Sequence, residues 1–185
     1  MSFADNGAMK IEKIRFALID TPVGPLLVAG SQQGLMRVSY TFDGKSPEPE
    51  AGWVEDDGVL DPVRKQVGEW FTGTRTQFDL ALCYSGNVFQ RSVWQAILEI
   101  PFGETATYGE IARRIGEGPA ASRAVGSACG DNPLPLVIPC HRVVGAGGTL
   151  TGFSHGVNGG LAVKRKLLDH EFAIRPPAGT LFSLA

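Results

Sequence analysis

The stretch PLVIPCHRVVG, residues 135 to 145, places a cysteine directly before a histidine, Cys140 and His141. A thiol becomes an effective nucleophile when a basic or positive neighbour lowers its pKa, and an imidazole is such a neighbour. The run around the pair is short, β-branched and bounded by Pro and Gly, which predicts an extended strand buried on both faces. Adjacent side chains of a strand point to opposite faces, so reactivity requires a turn at the pair or a bridging water.

The other cysteines show no comparable setting. The chain has three cysteines, an odd number, and its start, MSFADNGAMK, has no secretion signal, which argues against a disulfide framework. We expect free thiols, with Cys83 and Cys129 acting as small buried hydrophobes. No histidine has metal-ligand spacing with a cysteine, so no metal site is expected.

The first half of the chain is predicted to form a sheet and one helix. IEKIRFALID, PLLVAG and LMRVSYTF, separated by Gly-containing turns, predict a three-stranded meander. The acidic, Pro- and Gly-rich residues 43–58 that follow predict a surface loop.

A helix and a strand are predicted to complete this half. LDPVRKQVGEWF indicates a helix capped by Asp61, with Pro62 at its first position, and FDLALCY indicates a strand. Helical periodicity then takes over near Tyr84 to Gly86, and we place a domain boundary after residue 86.

The second half is predicted to be mainly helical. NVFQRSVWQAILEI predicts a core helix that Asn87 caps, with one apolar face made of Phe89, Val93, Trp94, Ile97 and Leu98. TYGEIARRIG and AASRAVGSACG follow as two short helices with the spacing of a helix-turn-helix. The second of these helices is small-sided except for Arg123, so any contact with DNA would be through shape and phosphates.

Composition is that of a globular protein, with 43% hydrophobic and 19% charged residues. No stretch approaches the roughly 18 apolar residues of a membrane span, so no membrane contact and a cytoplasmic location are expected. Residues 1–86 carry 8 basic and 12 acidic residues, a balance of −4, whereas residues 87–185 carry 9 and 7, a balance of +2. An anionic partner would therefore contact the second half, although such a split is also ordinary scatter.

Three segments together resemble the O6-alkylguanine-DNA alkyltransferases, also called methylated-DNA–protein-cysteine methyltransferases. They are FQRSVWQAILEIPFGETATYGEIA, SRAVGSACGDNPLPLVIPCHRVVG and GGLAVKRKLLDHE. The resemblance implies an α/β (α+β) protein with an N-terminal RNase H-like domain of a small sheet and a helix, residues 1–86. It also implies a winged-helix-like, mainly helical DNA-binding domain, residues 87–175, before a tail, residues 176–185.

The resemblance implies a reaction in which Cys140 takes the alkyl group from O6 of guanine in one irreversible turnover. His141 would act on the thiol through a water and would be oriented by Glu171. On the helix GLAVKRKLLDHE, Leu161, Leu168 and Glu171 are expected to share one face. A carboxylate that continues an apolar stripe should be buried with a partner.

Other site residues follow from the same resemblance. Tyr108 would donate a proton toward the leaving guanine, and Arg123 would enter the base stack in place of the flipped nucleotide. Asn132 either holds the active-site turn or is a plain turn former before Pro. The remaining guanine-pocket residues would be Val143, Phe153 and Ser154. Arg142 is expected to anchor the strand through an ion pair.

No cofactor is expected, and the partner would be double-stranded DNA that contains O6-alkylguanine, or O4-alkylthymine, bound by a monomer. An alternative is a lesion-binding protein that flips alkylated bases without chemistry, although its known relatives lack the cysteine. A Cys–His hydrolase is a third hypothesis, disfavoured because no oxyanion hole is apparent.

One departure from the family pattern lies after Phe153. GFSHGVNGGL contains four apparent extra residues, His155 to Asn158, which are expected to bulge outward as a mobile surface loop. The bulge is inert, or it widens the pocket for groups larger than methyl, or His155 contacts the DNA backbone.

Overall fold

The computed structural model describes residues 13 to 176, and the predicted tail lies outside the described residues except for Pro176. The N-terminal half contains a four-stranded sheet in the order β3-β2-β1-β4. Its strands are β1 (Arg15–Ile19), β2 (Leu26–Ser31), β3 (Gly34–Tyr40) and β4 (Val54–Glu55). The first three form the predicted antiparallel meander, and every residue of the central strand β2 is buried.

The segment predicted as a surface loop was assigned wrongly in part, because it contains β4. This strand pairs in parallel with β1 through Arg15–Val54 and Phe16–Glu55. Two residues are too short a run to show the alternation by which strands are recognised in a sequence.

Helix α1 (Asp61–Phe71) follows, and it buries Val63, Val67 and Trp70. The prediction that Asp61 caps it was wrong, because Asp61 is its first helical residue and Leu60 occupies the cap position. The Oδ1 atom of Asp56 accepts a hydrogen bond from the Leu60 N–H at 3.0 Å. This bond fixes the turn before the helix, whereas no side chain of the described residues caps the first amides of α1.

FDLALCY was also predicted wrongly, because it forms a single bridge rather than a strand. Leu82 pairs with Leu35 of β3, and the amide of Leu35 donates to the Ala81 carbonyl at 2.8 Å. The Cys83 amide donates back to the Leu35 carbonyl at 2.8 Å. The segment therefore lies beside the sheet and leads directly into the second half of the chain.

The C-terminal half is mainly helical, as predicted. Its elements are α2 (Val88–Leu98), β5 (Ala106–Thr107), α3 (Tyr108–Arg114), α4 (Ser122–Gly130), β6 (Val143–Val144) and α5 (Gly160–Ile174). Strands β5 and β6 pair in parallel. None of the helices between residues 13 and 176 is long and apolar enough to cross a membrane.

Helix α2 begins as predicted, with a reciprocal capping box between Asn87 and Gln90. Its core face differs from the prediction at three positions, because Leu98 is 36% exposed, Phe89 is only partly buried, and Ala96, which was not predicted, is buried. Leu98 is the last residue of the helix, and the chain returns to the core at Ile100, which is 2% exposed.

The two halves meet around the segment between α4 and β6. The amide of Val38, on strand β3, donates to the Pro133 carbonyl at 2.9 Å. On the other side His170 of α5 bonds through Nε2 to the carbonyl of Trp70 in α1 at 3.0 Å. The Trp70 ring also lies edge-on to the ring of His141, with centroids 6.1 Å apart. The N-terminal half thus supports the Cys–His pair from both sides.

Candidate active site

Cys140 begins a single 3-10 turn, Cys140–Arg142, and not the interior of a strand. The strand predicted for residues 135–145 is reduced to β6, Val143–Val144, immediately after this turn. Before it, Leu136 has a φ of 80°, a left-handed conformation that a leucine rarely adopts. The apolar run is buried as predicted, but it is folded into tight turns.

Asn132 holds these turns together with both ends of its amide. Its Nδ2 donates to the Ile138 carbonyl at 2.8 Å, and its Oδ1 accepts from the Leu134 amide at 3.0 Å. The Cys140 amide donates to the same Ile138 carbonyl at 2.8 Å. Asn132 is therefore both a turn former and a brace under the cysteine.

His141 and Glu171 form a buried pair, and both side chains are 0% exposed. The distance from His141 Nε2 to Glu171 Oε1 is 2.8 Å. Arg142 donates to the same carboxylate through Nε at 3.0 Å and Nη2 at 2.9 Å, and the Gly103 amide donates to Oε2 at 2.8 Å. The predicted partner of Glu171 and the predicted ion pair of Arg142 are thus one network.

The charges of this network fix the protons on the imidazole. Burial lowers the pKa of His141 despite its bond to Glu171, so the ring is neutral at neutral pH. Burial alone would raise the pKa of Glu171, but its hydrogen bonds and the opposing charges lower it to about 2. Because His141 is neutral, the charge that keeps Glu171 ionised is that of Arg142.

A neutral imidazole beside an ionised carboxylate donates from the nitrogen that faces it. Nε2 of His141 therefore carries the hydrogen, and Nδ1 keeps a lone pair that can accept a proton. Nδ1 is buried and has no hydrogen-bond partner among residues 13–176, the thiol of Cys140 included. A proton can pass from the thiol to Nδ1 only through a bridging molecule or a small movement.

Cys140 is 5% exposed, and this burial raises the pKa of its thiol. The Asn132 amide and the Lys164 ammonium oppose the rise by favouring the thiolate. Burial outweighs these two effects, and His141 is not among the groups that shift the pKa of the resting thiol. The resting cysteine is protonated, and His141 is placed to remove the proton during a reaction.

Tyr108, the first residue of α3, points its hydroxyl into the same site. The hydroxyl donates to the Thr151 carbonyl at 3.2 Å. Burial raises the pKa of Tyr108 to about 12, so the phenol keeps its proton and acts as a donor at neutral pH. A reciprocal capping box between Thr107 and Glu110 fixes the helix start that carries it.

Lys164 is a member of the site that the sequence prediction missed. Its side chain is fully buried, and Nζ donates to the carbonyls of Val143 at 2.6 Å, Thr151 at 3.0 Å and Gly152 at 3.3 Å. Nζ also lies 3.5 Å from the Tyr108 hydroxyl oxygen. This ammonium therefore ties α5 to β6 and to the chain that follows it, and it places a positive charge near the thiol.

A cavity of about 300 Å³ opens onto Cys140. That volume lies at the lower end of the range for pockets that hold small ligands, roughly 300–1,000 Å³. The lining residues are Tyr108, Ser122, Gly126, Cys129, Gly130, Cys140, Thr151, Gly152, Phe153, Ser154, His155 and Gly156. One wall is helix α4, and the opposite wall is the segment before α5.

The N-terminal half backs one wall of this cavity. Tyr40, the last residue of β3, packs its ring 5.7 Å from that of Phe153, and Phe42 lies 6.5 Å from the same ring. The hydroxyl of Tyr40 is buried with no hydrogen-bond partner among the described residues. Burial first, and then the nearby Cys140 and Glu171, raise its pKa.

The predicted site residues fall into three groups. The first group lines the cavity and consists of Cys140, Tyr108, Phe153 and Ser154, and the second is buried without lining it and consists of His141, Glu171, Asn132 and Val143. Val143, which was expected in the guanine pocket, therefore does not line this cavity. Arg123 is in neither group, because it is exposed on α4, one turn before Gly126 of the cavity wall.

Cys83 and Cys129 are half-buried, and their thiols are free. Cys129 is more than a small core residue, because it lines the cavity together with Cys140. Burial raises its pKa strongly, and no buried histidine–carboxylate pair adjoins it in sequence.

The sequence matches two protein-family models that follow one another along the chain. Residues 14–84 match the ribonuclease-like domain of 6-O-methylguanine DNA methyltransferase. Residues 88–173 match the DNA binding domain of the same family.

Individual proteins resemble the chain over most of its length. A methylated-DNA–protein-cysteine methyltransferase of Methanosarcina acetivorans is 45% identical over 143 residues, which cover 77% of this chain and 91% of that protein. One of Mycobacterium bovis is 43% identical over 169 residues, which cover 91% and 99%. Among solved structures, Mycobacterium tuberculosis OGT in complex with DNA has a TM-score of 0.77 at 41% identity, covering 88% of this chain and 95% of that one.

Proposed function

The chain belongs to the O6-methylguanine DNA methyltransferase family, and from this premise we propose that Cys140 accepts the alkyl group from O6-alkylguanine in duplex DNA. The activity is that of a methylated-DNA–protein-cysteine methyltransferase, which repairs DNA by moving an alkyl group onto the protein. The same chemistry extends to O4-alkylthymine as a second substrate.

The observation that carries the choice of cysteine is the position of Cys140 between the cavity and a base. Its thiol lines the cavity, and the next residue, His141, has a buried nitrogen lone pair held in place by Glu171. Cys129 lines the same cavity but has no such base beside it in the chain. A thiol becomes a nucleophile only as the thiolate, so the cysteine with the base is the one that reacts.

The transfer is a displacement at a saturated carbon. The proton of Cys140 passes to Nδ1 of His141 through a bridging water, and the thiolate attacks the alkyl carbon. The S–C bond forms as the C–O6 bond breaks, and the electron pair of that bond leaves with the guanine. The guanine anion takes a proton from the Tyr108 hydroxyl. The proton that His141 received from the thiol then returns through water to the Tyr108 oxygen, so the products are a thioether, guanine and a protein with both side chains neutral again.

The product explains why the reaction occurs once per protein molecule. The alkylated sulfur is a thioether, which water does not cleave at neutral pH, and the proposed step contains no second nucleophile to remove the group. All the groups that act come from one chain, which supports action as a monomer.

The guanine must leave the base stack to reach a thiol that is 5% exposed. Helix α4 lies beside the cavity with small residues facing it, so DNA can approach closely there. We assign Arg123, which is exposed on that helix, the place in the stack that the flipped nucleotide leaves. Inserting a side chain offsets a few kcal/mol of unstacking cost.

Mass spectrometry after incubation with duplex DNA that contains O6-methylguanine tests the assignment of Cys140. We expect the intact protein to gain the mass of one methyl group and the peptide that contains Cys140 to carry it. Cys140→Ala should gain none and should still bind the DNA, whereas Cys129→Ala, the matched cavity variant, should gain one. A methyl group on Cys129 or Cys83 would overturn the assignment, and lesion binding without transfer by the wild type would favour the lesion-binding alternative.

A further inference from the structure

The four extra residues before α5, His155 to Asn158, are exposed at the surface as predicted, but the first of them turns its side chain back onto α4. Ser154–Gly156 form a 3-10 turn in which Ser154, His155 and Gly156 have φ values of 46°, 56° and 74°. This left-handed path folds the chain back toward α4. The Nε2 atom of His155 then lies 2.9 Å from Oδ1 of Asp131, the residue that ends that helix.

The imidazole of His155 packs against Gly130, in the space that a side chain at this position would fill. A Cβ atom on Gly130 would lie 2.6 Å from Cε1 and 2.7 Å from Nδ1 of the His155 ring, which is closer than atoms pack. Any other residue at this position would displace the ring.

Asp131, the hydrogen-bond partner of His155, is itself fixed. Its Oδ2 accepts from Gln90 Nε2 at 3.0 Å, and Gln90 is held by the capping box at the start of α2. The position of the His155 ring is therefore fixed by the end of α4, the start of α2 and the loop itself.

Both sides of this contact border the cavity that holds the Cys140 thiol. Gly126 and Gly130 line it from α4, and Phe153 to Gly156 line it from the loop. His155 bridges the two sides, so its ring closes the gap between the walls. The side chain of His155 is 56% exposed, whereas Phe153 is 5% exposed. His155 therefore forms the outer part of the wall and Phe153 the inner part.

We propose that His155 is a specificity-determining residue that limits the size of the O6 substituent the cavity admits. The inference rests on the proposed function, because it concerns what enters the cavity beside Cys140. The imidazole occupies space in the outer part of the cavity wall, so it reduces the room for substituents larger than methyl. The extra residues thus tighten the pocket, in contrast to the widening that their length alone suggests.

The test compares single-turnover rates on two duplexes of the same sequence, one with O6-methylguanine and one with O6-benzylguanine. His155→Ala should raise the ratio of benzyl to methyl rates by roughly tenfold or more, which is the range by which pocket contacts discriminate. Gly130→Ala should raise it similarly by displacing the ring, and adding His155→Ala to Gly130→Ala should change it little further. Val157→Ala, in the same loop but outside the cavity, is the matched control and should leave the ratio unchanged.

An unchanged ratio in both His155→Ala and Gly130→Ala would overturn the inference. It would also be overturned if His155→Ala slowed both duplexes equally and left free O6-benzylguanine unaffected, because His155 would then contact DNA. Wild-type transfer of methyl from the first duplex tests the proposed function separately. If the wild type transferred nothing, the proposed function would fail whatever the ratio, whereas transfer with a constant ratio would remove only the role of His155.

Discussion

Glu171 is the residue on which the buried polar network depends. Its carboxylate accepts hydrogen bonds from His141, Arg142 and the Gly103 amide, and none of its surface is exposed. Removing one partner of a buried ion pair leaves the other charge uncompensated, which costs more than the pair itself contributes. The carboxylate therefore has a structural role through Arg142 and, in the proposed reaction, a chemical role through His141.

Replacing Glu171 with Gln should impair both roles. We expect the Arg142 charge, left without its partner, to lower the free energy of unfolding by about 3 to 5 kcal/mol. Transfer to Cys140 should also slow, because a neutral amide polarises the imidazole less than a carboxylate. Urea unfolding and single-turnover transfer at pH 7 measure the two effects, and Glu104→Gln, at an exposed position, is the control. A fully stable and fully active variant would contradict the network.

The lowered pKa of Glu171 makes the free energy of unfolding depend on pH. The pKa of Glu171 falls from the ordinary value of 4.5 to about 2 in the folded protein. Its contribution to the free energy of unfolding is therefore complete above the pKa of the unfolded state, and it is lost as the pH falls toward the pKa of the folded state. That contribution is worth about 3 kcal/mol. The unfolding free energy of the wild type should therefore drop between about pH 5 and pH 2 more steeply than that of Glu171→Gln. Parallel slopes would show that other carboxylates dominate acid unfolding.

At the scale of elements, α4 combines two functions on adjacent positions. Gly126, Cys129 and Gly130 border the cavity, while Arg123 is exposed one turn earlier. The small side chains were expected to permit close approach to DNA, and they also leave room for the cavity and for the ring of His155. In the proposed function, the helix presents the extruded base to Cys140 and Arg123 fills the gap that the base leaves.

Arg123→Ala should slow transfer from duplex DNA more than transfer from free O6-benzylguanine. The free base needs no extrusion, so the loss of an inserted side chain should not affect it. Single-turnover rates on both substrates measure the difference, with Arg165→Ala, an exposed arginine of α5, as the control for lost positive charge. Equal effects on the two substrates would mean that Arg123 has a structural role.

At the scale of the whole molecule, the N-terminal half is part of the support of the active site. Strand β3 bonds to the active-site turn through Val38 and packs on the cavity wall through Tyr40, while Trp70 of α1 contacts His141. A sequence pattern reports local periodicity. It does not indicate which side chains of the N-terminal half contact which side chains of the C-terminal half. These contacts therefore could not be predicted, although the elements that make them could.

Local sequence patterns predicted the helices and strands correctly where a long stretch of residues has a single helical or strand periodicity. The meander, α2 with its Asn87 cap and the two short helices followed from spacing, and Glu171 is buried as expected although the stripe that predicted it was partly wrong. The turn at Cys140 did not, because its apolar run resembles a strand and the left-handed φ of Leu136 leaves no mark in a sequence.

Helix α5 shows why a buried face can be placed slightly wrongly. Leu161 was expected beside Leu168 and Glu171, but it is 46% exposed. At 3.6 residues per turn, Glu171 lies about 80° around the helix from Leu161 and only about 20° from Lys164. Lys164 was missed because a lysine is almost never expected in a core.

The burial of Lys164 makes it a reporter of how often α5 leaves the site. Amine-acylating reagents modify lysines they can reach, and Lys164 is 0% exposed while Lys166, two residues away, is exposed. Burial also lowers the pKa of Lys164, which by itself would make its amine more reactive, so slow labelling can only reflect access. We expect acylation of Lys164 to be slower than that of Lys166 by orders of magnitude, as measured by peptide mass spectrometry over time. Equal rates would show that α5 opens freely. Otherwise the ratio of the Lys164 rate to the Lys166 rate gives the equilibrium constant for opening of α5, without any engineered probe.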